Sequence, residues 1–188
     1  MVQLIKMSNM FIELARKAIN IHIATGETIQ PPQSLPEKMK TQAGVFVSLH
    51  KHGTLRGCIG TFMPTTKNIA TEIIEMAIAS STSDPRFPPV VKSELDTLEI
   101  SIDVLSPPEN IDSTNSLNPK VYGVIVRSGF KRGLLLPDLE GINTPEEQVD
   151  IAKRKAGIYG DEPIKLQRFK VTRHLDTDSN STKSGDGA

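Results

Sequence analysis

Apolar residues change their spacing several times along this chain, and each change marks an element. Phe11, Leu14, Ala15, Ala18 and His22 recur three or four apart, which sets them on one face of a helix between a candidate Ser8 cap and a Gly26 stop. The QPPQSLPEKMKTQ segment that follows has three prolines and little periodicity, so it reads as an extended connector. Alternation then takes over. GVFVSL (44–49) and LRGCIGTF (55–62) flank a Lys-His-Gly tip and predict a β-hairpin. Its apolar stripes are Val45, Val47, Leu49 and Leu55, Gly57, Ile59. They share a face if Leu49 lies opposite Leu55, which leaves Lys51-His52-Gly53 as a three-residue loop. The opposite face then carries Phe46, Ser48, His50, Arg56, Cys58 and Gly60.

Helical spacing returns at Ile69, Ile73, Met76, Ala77 and Ser80, with Thr65 or Thr66 as the cap, and breaks at the proline-rich DPRFPPV (84–90). After a short turn at Ser93-Glu94-Leu95-Asp96, Leu98, Ile100, Ile102 and Val104 alternate with polar residues, as in a strand with one wet face. Residues 107–119 read as a loop, while GVIVRS (123–128) and RGLLLP (132–137) predict two strands joined at Gly129. Thr144-Pro145-Glu146-Glu147 has the form of a capping box, and the pattern stops at Gly157, giving a helix over 145–156. Residues 164–173 alternate as a last strand. Hairpins separated by single helices, without βαβ repetition, predict an α+β fold with a largely antiparallel sheet and flanking helices. One domain is expected over 1–174. Residues 176–188 contain a single apolar residue, so 175–188 is expected to be a disordered tail.

Composition narrows the function classes. Lys plus Arg and Asp plus Glu are equal at 22 each, so no net field draws the chain to nucleic acid or anionic lipid. Aromatic residues make up 4% with no Trp, which leaves few stacking platforms, and strong non-specific nucleic-acid binding is not expected. The charges do segregate: residues 84–112 hold seven acids and two bases, and 120–174 hold eleven bases and seven acids. Solvated faces segregate in this way without any partner. One cysteine excludes an intramolecular disulfide, the N-terminus lacks the apolar stretch of a secretory signal, and no apolar run approaches the ~18 residues of a membrane span. A cytoplasmic location without membrane association is the resulting expectation.

LRGCIG (55–60) is the most informative hexapeptide for chemistry. Arg56 and Cys58 lie at i and i+2, about 7 Å apart along a strand. A nearby guanidinium stabilises a thiolate, and flanking glycines allow close approach of a ligand or another backbone. The competing reading makes Cys58 a small buried hydrophobe and both glycines packing devices, and the residues alone favour it. His50 and His52 complete no metal-ligand set with Cys58, so no metal is expected. In DPRFPPV three prolines fix much of the backbone and present Asp84, Arg86 and Phe87 at low entropic cost; a core role for Phe87 and a turn-capping role for Asp84 are the plainer alternatives.

LRGCIGTF and DPRFPPV, with GVFVSL, LEISIDVLSPPE, GLLLP and KAG, resemble the signatures of the AMMECR family, named after a human chromosomal region linked to Alport syndrome, midface hypoplasia and elliptocytosis. The resemblance implies an α+β fold with a larger and a smaller lobe and a site in the groove between them, but no particular reaction and no cofactor. Its microbial members are associated with Memo-like and radical S-adenosylmethionine proteins, which are therefore the implied partners. The combined reading is an enzyme or enzyme component with Cys58 and Arg56 as catalytic candidates and Asp84, Arg86, Ser48, Gly57 and Gly60 as ligand-binding candidates. The alternative is a non-catalytic adaptor that holds protein or nucleic acid by the same face.

Overall fold

The computed structural model describes residues 2–176, with side chains from Met10 onward. The fold is α+β, with two four-stranded sheets where the sequence suggested one. The described chain divides into two compact units, one built from residues 2–103 and 173–176, the other from Val104–Thr172.

In the first unit, α1 (Val2–Thr25) and α3 (Ile69–Thr82) pack on each other, and α3 also packs on the hairpin β1 (Val45–Lys51) and β2 (Thr54–Gly60). The sheet order is β2-β1-β3-β8, with β3 at Leu98–Leu105 and β8 at Val171–Leu175. Helix α1 buries Phe11, Ile12, Leu14, Ala15, Ala18 and Ile19, a stripe wide enough to face a core. It begins six residues ahead of Ser8 and stops at Gly26, whose φ of +77° suits the left-handed position that ends a helix. The connector contains a short helix, α2 (Glu37–Lys40), that buries Met39. The cap of α3 is Asn68, whose side chain accepts from the Thr71 N–H. Thr65 and Thr66 instead donate, with Thr61, to Glu72, a fully buried carboxylate on α3. Burial raises the Glu72 pKa, but the three hydroxyls and the Thr65 N–H outweigh it and the net shift is downward.

The hairpin register differs from the one expected. Leu49 pairs with Gly57, and His52 and Gly53 alone form the loop, both with positive φ (52° and 75°) as a tight two-residue turn requires. The slip of two keeps Gly57 and Ile59 on the face of Val47 and Leu49, but Leu55 pairs with His50 and so leaves the expected stripe. The odd residue is absorbed between Leu49 and His50, whose partners are Gly57 and Leu55. Arg56 is therefore the extra residue of a β-bulge. The wet face of β3 is partly covered as well: Asp103 is buried and accepts two bonds, 2.7 and 2.8 Å, from the fork of Arg173.

In the second unit, the sheet order is β4-β7-β5-β6, formed by Glu109–Ile111, Lys165–Phe169, Gly123–Ser128 and Lys131–Leu135, covered by α4 (Pro145–Lys155). Helix α4 carries the predicted capping box at Thr144 and Glu147. Val124, Val126, Leu135, Val149, Ala152 and Ile158 are among its core residues. A Cβ at Gly133 would sit 1.9 Å from the Ala152 carbonyl oxygen, so only glycine lets α4 approach β6. The 107–119 loop contributes β4 and a 3-10 turn at Thr114–Ser116. The expected last strand is two strands in different sheets. Lys170 leaves the ladder because Ser106 takes both its backbone groups, with N–H to Lys170 carbonyl and Lys170 N–H to Ser106 Oγ each at 2.9 Å. Of the expected 175–188 tail, Leu175 closes β8 and Asp176 donates its N–H to the Ile100 carbonyl at 3.1 Å. The remainder lies outside the described residues. No helix among them is long and apolar enough to cross a membrane.

Candidate functional site

Strand β2 is a sheet edge, and an edge must find partners for its outward backbone groups. Ser80 on α3 supplies one: its Oγ accepts from Ile59 N–H at 2.9 Å and donates to the Val47 carbonyl at 2.8 Å, stitching helix to hairpin. Asp84 supplies another, with Oδ2 accepting from Cys58 N–H at 2.8 Å. Gly57 is required by this packing, since its Cβ would lie 2.2 Å from the Ser80 carbonyl oxygen; a Cβ at Gly60 would strike the Phe46 ring at 2.3 Å. The space in front of both glycines is therefore occupied by protein.

Asp84 is the hub of the DPRFPP loop. Its carboxylate is 2% exposed and accepts from the Arg86 N–H and Nε (3.1 and 3.0 Å) and from Arg86 Nη2 (2.7 Å), besides Cys58. The hydrogen bonds from Arg86 hold its pKa well below the usual carboxylate range, overcoming burial, with the Cys58 N–H adding to the effect. Arg86 in turn has a raised pKa. Asp84 is the main cause, opposed by desolvation, and the Cys58 side chain contributes as well. Its Nη2 also reaches the Cys58 carbonyl at 3.3 Å, and the guanidinium stands 5.4 Å from the Phe87 ring centroid. Phe87 is half-exposed rather than a core plug, and Val90 is the buried apolar residue of the loop.

The two arginines exchange the roles that sequence spacing suggests. The bulge sends Arg56 to Glu94, where Nε and Nη2 form a fork at 3.1 and 2.9 Å, and Nη1 donates to the Pro88 carbonyl at 2.9 Å. Lys51 completes the pair at 3.0 Å. The Arg56 hydrogen bonds bring the Glu94 pKa down to about 2 against the effect of burial, helped by Lys51 and the Val91 N–H. Arg56 is thus a strut between β2 and the proline loop, and Arg86 is the cation at Cys58.

Cys58 is half-buried, and Ser48, directly opposite it on β1, donates Oγ–H to its sulfur at 3.1 Å. The arrangement brings one hydroxyl donor and one guanidinium to a thiol on an otherwise pinned strand edge. Of the sequence candidates, Ser48, Cys58, Asp84 and Arg86 form one connected group, with Arg56 behind it. Recesses of about 450 and 490 Å³ lie in the second unit and are lined by other residues. Among the described residues, no three His, Cys, Asp or Glu side chains are grouped to hold a metal.

A sequence profile of the AMMECR1 family matches residues 12–174. The chain belongs to the AMMECR1 family. A Thermotoga maritima protein is 50% identical over 167 residues, spanning 87% of this chain and 96% of its own. A Clostridium acetobutylicum protein is 49% identical over 169 residues, yet this chain covers only 36% of that longer protein. The crystal structure of an uncharacterized Pyrococcus horikoshii protein matches with a TM-score of 0.78 at 34% identity, covering 87% of this chain and 88% of that one. Within this AMMECR1 chain, sequence reasoning missed Glu94 and Ser80, the residues that fix the two sides of the site. Their partners lie 38 and 21 positions away, respectively.

Proposed function

We propose that Cys58 is the working residue of an enzyme or enzyme component, a nucleophilic thiol with Ser48 as hydroxyl donor and Arg86 as the cation that stabilises charge on sulfur. The observation that carries this reading is the 3.1 Å Ser48 Oγ–Cys58 Sγ contact beside a guanidinium already anchored by Asp84. Ser48, Asp84 and Arg86 are then positioning groups, and Arg56 supports them through Glu94. The setting that fits the family resemblance is a modification system shared with Memo-like and radical S-adenosylmethionine proteins. The longer Clostridium relative supports a role as one module of a larger assembly.

A second reading, a non-catalytic adaptor using the same face, draws support from its rigidity, because both arginines are committed to carboxylates. Iodoacetamide labelling of the folded protein at neutral pH separates the two. The thiol reading requires Cys58 to be carboxamidomethylated in the native state. Labelling only on unfolding, with Cys58→Ser losing stability, assigns the cysteine to packing and leaves the adaptor.

A further inference from the structure

Arg86 has more donors than its partners use. Nε and Nη2 form a side-on fork to Asp84 at 3.0 and 2.7 Å, and Nη2 also donates to the Cys58 carbonyl at 3.3 Å. Among the described residues nothing accepts from Nη1, which carries two N–H groups. The ion pair is also lopsided: the Asp84 side chain is 2% exposed and that of Arg86 54%, so the pair turns its positive end to solvent. Glu94, the other carboxylate of this network, is taken by Arg56 and Lys51, so two acids meet three bases and the surplus charge is positive. The guanidinium is held in place, with Asp84 on its edge and its central carbon 5.4 Å from the Phe87 ring centroid. A fork fixed in this way loses little entropy on taking an anion. It also lies beside the thiol, since Nη2 reaches the Cys58 carbonyl, and the Cys58 side chain adds to the effect of Asp84 in raising the Arg86 pKa.

We propose that the free Nη1 end of Arg86 binds a carboxylate of the substrate, and that the Cys58 thiol acts on an electrophilic carbon next to that carboxylate. The proposal rests on the reading of Cys58 as a nucleophile and adds the class of substrate to it. Guanidinium ends bind carboxylate and phosphate alike. The surplus here is a single positive charge, which a carboxylate balances and a phosphate dianion exceeds. The sulfur keeps its own donor, the Ser48 hydroxyl at 3.1 Å, so thiolate and carboxylate do not compete for one group.

The test compares iodoacetate with iodoacetamide as alkylating probes on the full chain at neutral pH, with the urea-unfolded chain as reference. With either probe the sulfur forms the S–C bond, the C–I bond breaks with its electron pair leaving as iodide, and the thiol proton passes to buffer; the probes differ in carboxylate against amide. The expected result is that folding raises the iodoacetate-to-iodoacetamide rate ratio about fivefold or more, the effect of a partly exposed ion pair. Arg86→Met should return the ratio to its unfolded value, whatever happens to the absolute rates, and Lys155→Gln on α4 should leave it raised. Malonate or a triaspartate peptide should slow iodoacetamide labelling of the wild-type chain, a readout that needs no variant, and phosphate at matched ionic strength should slow it less. Protection by malonate assigns the carboxylate to a small acid, and protection by the peptide alone assigns it to a polypeptide. A ratio equal in the folded and unfolded chain, while iodoacetamide still labels native Cys58, overturns the proposal and leaves the thiol reading standing, as does protection by neither competitor. Native Cys58 inert to both probes removes the thiol reading and this proposal with it. A raised ratio that survives Arg86→Met overturns the assignment to Arg86, and stronger protection by phosphate than by either carboxylate overturns it in favour of a phosphorylated substrate.

Discussion

Replacing Asp84 with Asn keeps the shape of the side chain and removes its charge, which makes it the sharpest probe of how the DPRFPP loop is held to β2. The carboxylate accepts four hydrogen bonds, three from Arg86 and one from Cys58. An amide turns one acceptor into a donor that faces existing donors, and it weakens the remaining bonds by loss of charge. Charge-assisted bonds are worth ~1.5–3 kcal/mol each. Arg86 is 54% exposed and regains water, so most of its share is returned and the net loss should be ~2–3 kcal/mol. With a urea m-value of ~2 kcal/mol/M, the unfolding midpoint at pH 7 should fall by ~1–1.5 M. The pH dependence supplies an independent check. Asp84 has a folded pKa far below its unfolded value, so its stabilisation is complete above the unfolded value of ~3.9 and is lost as pH falls towards the folded one. At pH 3 the gap between wild type and Asp84→Asn should be smaller by ~1.2 kcal/mol than at pH 7. A variant within ~0.5 kcal/mol of wild type at pH 7, or a gap that does not narrow at pH 3, refutes the argument.

Two further substitutions test the frame around the site. Arg56→Met should destabilise by ~2 kcal/mol, because Glu94, whose side chain is 14% exposed, keeps only Lys51 and the Val91 N–H. Its pKa should rise from about 2, visible by NMR titration, and the stability difference should fade as pH drops from ~4.3 towards 2. Gly57→Ala forces a methyl to 2.2 Å from the Ser80 carbonyl oxygen, with backbone on both sides, and should lower stability by ~3 kcal/mol in the same urea assay.

The parts of this fold that the sequence declares are those with local chemistry. The Thr144 capping box, the Gly26 and Gly157 stops and the alternating hairpin faces need only neighbours a few positions away, and each is present. The hairpin register was not legible because a period-two pattern is indifferent to a slip of two, and a bulge leaves no mark in it. That hidden bulge decides the site, since it turns Arg56 away to a glutamate in what reads as an ordinary turn. Arg86 takes its place through a loop whose path depends on Ser81 and Val90, joined at 2.7 Å. The break at Lys170 was equally hidden, because alternation continues across it while Ser106, distant in sequence, removes it from the ladder.

The most direct test of the Cys58 site is the alkylation rate of the folded protein, followed over pH 6–9 in wild type, Arg86→Met, Ser48→Ala and Arg56→Met. The account predicts native-state reaction at Cys58, slowed several-fold by Arg86→Met and by Ser48→Ala, because each removes a group that stabilises charge on the sulfur. Arg56→Met, whose guanidinium is held by Glu94, should stay within about twofold of wild type wherever the variant remains folded. A thiol that resists alkylation for hours until the protein unfolds contradicts the account, and so does a rate that falls with Arg56→Met but not with Arg86→Met.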